Sequence, residues 1–179
     1  IAADHPEGDG MVTFCREELA RIETFCREHD VIGLVDEPLE IEWTPEFMRS
    51  FGGAMLDAPG PLDAGQKAFF SITPPRDEWT ADETESYLRE MNTRQLQLLT
   101  IHEAVPGHYL QMAYANTGSS LARRVFRSGL FAEGWAVYVT QVMLDRGYGA
   151  DDPALWLVHW KFYLRAVANA ILDVRIHTM

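Results

Sequence analysis

The chain has 179 residues, 47% hydrophobic and 23% charged, the proportions of a folded globular protein rather than of a disordered or fibrous one. That length makes one domain, or one and a half, with enough buried surface for a true core. Its 15 basic and 27 acidic residues leave a net charge of −12, which argues against nucleic acid and against anionic lipid as partners.

In chain order, residues 1–12 hold Asp4, Pro6, Gly8, Asp9 and Gly10 and read as a loop or frayed end. From Thr13 to His29, Cys15, Leu19, Ile22 and Cys26 recur at spacings of four, three and four, an amphipathic helix. Its cysteines are the only two, which excludes a disulfide framework and leaves two reduced thiols. Val31–Val35 is a short apolar run, read as a strand. Leu39, Ile41 and Trp43 alternate with Glu40 and Glu42, the period of a half-buried strand. Gly52 to Pro61 is turn-rich, and Lys67–Ile72 is a further strand closed by Pro74 and Pro75. This last strand is either an edge that accepts an extended peptide or an ordinary internal strand. Together these segments predict a small sheet of two to four strands.

After Pro75 the pattern turns helical. Thr80 and Glu83 form a capping box, and the helix it opens bends near Asn92 on its way to His102. A loop at Asn116–Ser119 precedes a short helix through Arg123 and Arg124. A helix from Leu130 to Arg146 stops at Gly147 and Gly149, and Asp152 and Pro153 start the last one. The fold class expected is mainly α (α+β), one catalytic domain with a helix and small sheet in 1–75 and a helical metal-site region in 76–179. No stretch reaches about 18 apolar residues, so no membrane span is expected. The chain starts at Ile1 and stops at Met179 within a helical pattern, so we expect a fragment whose remainder lies in a longer chain. The cytoplasm is slightly favoured as compartment, and any signal peptide would lie before Ile1.

The stretch from Thr100 to Gln111 carries His102, Glu103, Pro106, Gly107 and His108. A His-Glu pair followed by a second histidine on a helix is a zinc-site pattern, normally at i and i+4, which places both rings on one face. Here the spacing is six, about 600° of rotation, and a regular helix would point the rings apart. Pro106 cannot donate to the His102 carbonyl, and Gly107 tolerates unusual backbone angles, so a two-residue bulge can return His108 to the His102 face. The alternative is a helix that ends at Pro106, with two unrelated histidines. Glu133, 25 residues beyond His108, is a lone acid in an apolar helix start, costly unless paired or bound to a cation. It either caps its own helix or completes a two-histidine, one-carboxylate set that leaves a fourth position open.

The strings His-Glu-Ala-Val-Pro-Gly-His-Tyr-Leu-Gln (102–111) and Phe-Ala-Glu-Gly-Trp-Ala-Val-Tyr (131–138) resemble the bacterial domain of unknown function 885 family. So does the end of the chain, from Leu164 to Thr178. The resemblance implies a zincin-like, gluzincin-like metallopeptidase, of which this is the C-terminal catalytic portion. It implies His102, His108 and Glu133 as ligands of Zn2+, and Glu103 as the base that polarises a metal-activated water and passes its proton to the leaving amine. Tyr109 stands where that family often has a further histidine, a change expected at the site's rim. In the last helix His159, Tyr163, Ala166, Ala170, Asp173 and His177 form a stripe suited to a cleft wall or to a solvated face. His177, oriented by Asp173, or Tyr163 is the candidate oxyanion donor. Trp135, Trp156 and Trp160 read as core packing, and Arg123, Arg124 and Arg127 as a solvated basic face.

The function expected is a zinc-dependent hydrolase of peptide amide bonds, with peptide as substrate partner. Rivals are a metal-dependent hydrolase of non-peptide amides and a non-catalytic helical domain that binds a peptide or partner.

Overall fold

A computed structural model of the chain describes residues 3–7, 10–63 and 65–179. Ile1, Ala2, Gly8 and Asp9, all within the expected N-terminal loop, and Ala64 lie outside the described residues. The first helix, α1 (Gly10–Glu28), starts earlier than the cysteine pattern implies, because Met11 and Val12 already belong to the core.

Asp30, with φ at 48°, turns the chain after α1, and the Val31 N–H bonds back to the Cys26 carbonyl. The expected strand at Val31–Val35 does not form. Val31, Ile32, Leu34 and Val35 all pack on one core cluster. A strand would turn alternate residues of that run away.

The alternation at Leu39–Trp43 does give a strand, β1 (Leu39–Trp43). A second strand, β2 (Ala54–Asp57), lies inside the segment read as turns, where flanking glycines and prolines mask it. The third, β3 (Ala68–Ile72), is central, parallel to β1 and antiparallel to β2. The peptide-accepting edge considered for Lys67–Ile72 is therefore corrected: both sides of that strand are occupied.

The helical half follows its local signals. Thr80 and Glu83 close a full capping box on α2 (Ala81–Glu90). The expected bend at Asn92 is a break, since the Asn92 side chain accepts from the Gln95 N–H and starts α3 (Thr93–Glu103) afresh. Then come α4 (His108–Thr117), α5 (Leu121–Val125), α6 (Gly129–Asp145) and α7 (Pro153–Thr178). Gly147 and Gly149 adopt positive φ after α6, and Asp152 caps α7 with Pro153 in its first turn. The architecture is mainly helical with a three-stranded sheet.

One core joins α1 to the sheet through Met11, Cys15, Ile41, Phe70 and Ile72. A second places Ile22 and Cys26 against Ile101, Val105, Leu110 and Met143. Between them Glu18, fully buried on α1, has its carboxylate held by Arg21 and by the Tyr148 hydroxyl. That pairing offsets the cost of burying the charge and ties α1 to the turn that follows α6. Helix α3 runs through the middle, packed on α1, α6, α7 and β2. Its C-terminal end is therefore fixed from several sides, and there the candidate site begins.

Candidate metal centre

Helix α3 stops at Glu103. Pro106 has no N–H for the His102 carbonyl, and Ala104 leaves helical geometry at φ −100° and ψ −101°. The Val105–Pro106 bond is cis, and α4 restarts at His108. The bulge expected within one helix is thus a break between two. It nevertheless brings the histidines together: the His102 and His108 rings meet edge to face with centroids 4.8 Å apart.

Gly107 makes that approach possible. A Cβ there would sit 1.8 Å from the His102 carbonyl oxygen and 2.4 Å from that of Ile101. Its φ is −73°, so contact between backbones, rather than a left-handed conformation, requires the glycine.

Glu133 lies in the early part of α6. Ser128, not Glu133, caps this helix, its hydroxyl accepting from the Phe131 N–H. The Glu133 side chain is 73% exposed, so it stands at the mouth of the site and is not the buried acid its apolar neighbours suggest. One of its oxygens is 3.7 Å from His108 Nε2. Ligand atoms of His102, His108 and Glu133 all lie within 4.8 Å of one another. A tetrahedral cation about 2.0–2.2 Å from each would hold them roughly 3.3–3.6 Å apart. The three donors fit such an ion after small side-chain adjustments.

Electrostatics suit the same role. Burial, helped by the adjoining His108, pushes the His102 pKa down to about 4. Burial also lowers that of His108, against the pull of Glu133. Neutral imidazoles keep a lone pair free for a cation. Next to them the buried Glu103 carboxyl is pushed up to about 7, first by burial and then by Glu133, while a main-chain hydrogen bond at Leu56 pulls it back. A carboxyl with that pKa can both take and return a proton near neutrality. His102, Glu103, His108 and Glu133 share a cleft of about 280 Å³ whose other wall includes Met55 and Leu56 of β2.

Trp135, read from sequence as packing, holds the parts together. Its Nε1 donates to the Pro106 carbonyl at 2.9 Å, joining α6 two residues after Glu133 to the α3–α4 break. The nearby pairing of an acid and a tryptophan was visible in the sequence, but not the carbonyl that the indole reaches.

Other expected site residues stand elsewhere. His177 is exposed on the last turn of α7, its Nδ1 2.8 Å from the Asp173 carbonyl oxygen, and it does not line the cleft. The Asp173 pairing is present; the approach to the metal-ligand group is not. His159 is 1% exposed, with Nε2 2.8 Å from Gln141 Oε1, and it lines a small internal cavity beside His102 rather than the cleft that holds Glu133. Tyr109 is buried with its hydroxyl on the Glu37 carbonyl, so the rim position expected for it is corrected. The restart at His108 turns it toward the core.

Residues 2–179 match the family model for “Bacterial protein of unknown function (DUF885)”. No curated protein matches the chain. One similar solved structure is described as “a putative lipoprotein of unknown function from Shewanella oneidensis”, at 38% identity and TM-score 0.85, covering 98% of this chain and 31% of that one. Another, described as “the putative lipoprotein from Colwellia psychrerythraea”, is 24% identical with TM-score 0.63, covers 83% of this chain and 25% of that one, and shows a shared fold. The chain thus spans less than a third of the length of either. The cytoplasmic expectation is corrected by the lipoprotein description of the 38%-identical structure. The reduced thiols do not speak against that correction. Cys15 and Cys26 are about 16 Å apart along one helix, too far for a disulfide in any compartment.

Proposed function

The chain belongs to the DUF885 family of bacterial proteins, and on that premise we propose that it is a zinc-dependent hydrolase of peptide bonds. The observation that carries the proposal is the convergence of His102, His108 and Glu133 to within 4.8 Å beside the buried Glu103. Two imidazoles and one carboxylate form a borderline donor set that suits zinc and leaves a coordination position free. When bound, the cation would supply Lewis acidity and lower the pKa of water. Glu103 takes the proton of the attacking water and gives it to the leaving amine, the role its raised pKa favours. Trp135 keeps Glu133 in register with the two histidines. His177 is left out of this set because it lines no part of the cleft.

A peptide is favoured over other amides by β2. This strand is an edge of the sheet, and it runs along the cleft, lining it with Ala54, Met55 and Leu56. An extended substrate can pair with such an edge while its carbonyl lies over the cation site. We place the protein outside the cytoplasm, following its lipoprotein relatives. We also propose that further polypeptide covers the apolar side chains that α7 leaves exposed, among them Leu164, Ile171 and Ile176.

The test is zinc content and peptide hydrolysis in wild type and in Glu103→Gln. Stoichiometric zinc in both, with hydrolysis reduced about 10²–10⁴-fold in the variant, supports the proposal. A wild type that takes up no zinc on reconstitution refutes it, and zinc binding without turnover leaves a binding domain instead.

A further inference from the structure

Beside the cleft lies a groove of about 500 Å³ between α4, α5 and the start of α6. Met112 and Ala132 line both, so the groove begins where the cleft ends. Its walls include the exposed rings of Phe126 and Phe131, and Arg123 and Arg127 also line it.

These arginines differ from six of the thirteen in the chain. Arg21, Arg27, Arg76, Arg89, Arg94 and Arg165 each reach an acidic side chain. Among the described residues, no acid pairs with Arg123 or Arg127, although the chain carries a net charge of −12. Arg127 donates to the Asn116 Oδ1 at 3.3 Å and to the Pro59 carbonyl at 3.4 Å, neutral acceptors that position the guanidinium without cancelling its charge. Ser128 and Phe131 bring the N-terminal end of the 17-residue α6 to the same groove, which adds positive potential. Aromatic walls with uncompensated cations match an apolar side chain that ends in a carboxylate.

We propose that the groove holds the leaving part of the substrate: a C-terminal apolar residue rests against Phe126 and Phe131, and its free carboxylate is bound by Arg123 and Arg127. The inference rests on the hydrolytic reading of the adjoining cleft and specifies the substrate class as peptides with a free, apolar C-terminus. From His108 to Ala115, which also lines the groove, α4 rises about 10 Å, the span of roughly three extended residues. The fragment released is therefore one to three residues long. In the step itself the water hydroxyl adds to the acyl carbon, the C–N bond breaks, and the water proton passes through Glu103 to the leaving amine. The carboxylate on the arginines is unchanged.

The test uses the full-length protein loaded with zinc and matched peptides ending in phenylalanine, phenylalanine amide or aspartate. The free phenylalanine acid should exceed the other two in kcat/KM by about ten-fold or more, mostly through KM. The double variant Arg123→Gln, Arg127→Gln should reduce it to the level of the amide. Equal turnover of acid and amide by the wild type overturns the groove assignment while hydrolysis stands. A second readout needs no turnover: calorimetric binding of alanyl-phenylalanine and its amide to the Glu103→Gln protein. Tighter binding of the acid, lost in the arginine variant at unchanged melting temperature, supports the groove even if no peptide is cleaved, in which case the hydrolytic reading alone fails. Equal binding of acid and amide overturns the groove.

Discussion

At Gly107 two backbones approach so closely that a single methyl group has no room. The obstacle is the pair of carbonyl oxygens at Ile101 and His102, fixed in the last turn of a well-packed helix. Gly107→Ala must therefore push α4 away from α3, and His108 moves with it. We expect a loss of about 3 kcal/mol in folding stability, read by denaturant unfolding, together with weaker zinc binding. Unchanged zinc affinity in a folded Gly107→Ala protein would show that the junction does not set the distance between the histidines. The three residues that the fold brings together, His102, His108 and Glu133, were legible in the sequence, because donor chemistry travels with residue type. What Tyr109, Trp135 and His159 do was not legible. Each depends on the direction a side chain takes after a break or within a bundle, and periodicity does not carry that information.

The elements show the same division between local and tertiary causes. Helix starts at Thr80 and Asp152 could be read because the capping groups lie within three residues of the N–H groups they satisfy, whereas the cap at Asn92 was read only as a bend. Val31–Val35 and β2 could not, since one is held in place by the core beneath it and the other by pairing with β3. The break between α3 and α4 combines both kinds. Pro106 announces that the helix ends, but the indole of Trp135 on α6 holds the resulting loop. Trp135→Phe keeps most of the packing and removes that one hydrogen bond. We expect zinc affinity to fall about ten-fold, by competition with a chromophoric chelator, with a stability loss near 1 kcal/mol. An unchanged affinity would make Trp135 a packing residue only.

At the scale of the whole molecule, the two halves of α7 differ. Its first turns bury Leu155, Val158 and His159, whereas every residue from Tyr163 onward is exposed, Leu164, Ile171 and Ile176 included. A helix this apolar is not stable in water by propensity alone and needs a surface to pack on. Hydrogen exchange on the full-length protein should accordingly show residues 163–178 protected as well as 155–160. Exchange within seconds over 163–178 would mean that no further polypeptide covers this face. The acidic balance argues against nucleic acid, while locally the groove that adjoins the cleft carries two arginines with no acidic partner among the described residues.

The central claim is that His102, His108 and Glu133 bind one cation. Anomalous diffraction at the zinc edge, from crystals of the zinc-loaded protein, tests it directly. The account predicts one full-occupancy peak about 2.0–2.2 Å from both imidazoles and from the Glu133 carboxylate. A zinc-loaded crystal with no peak there, or with zinc bound only at other residues, would contradict it.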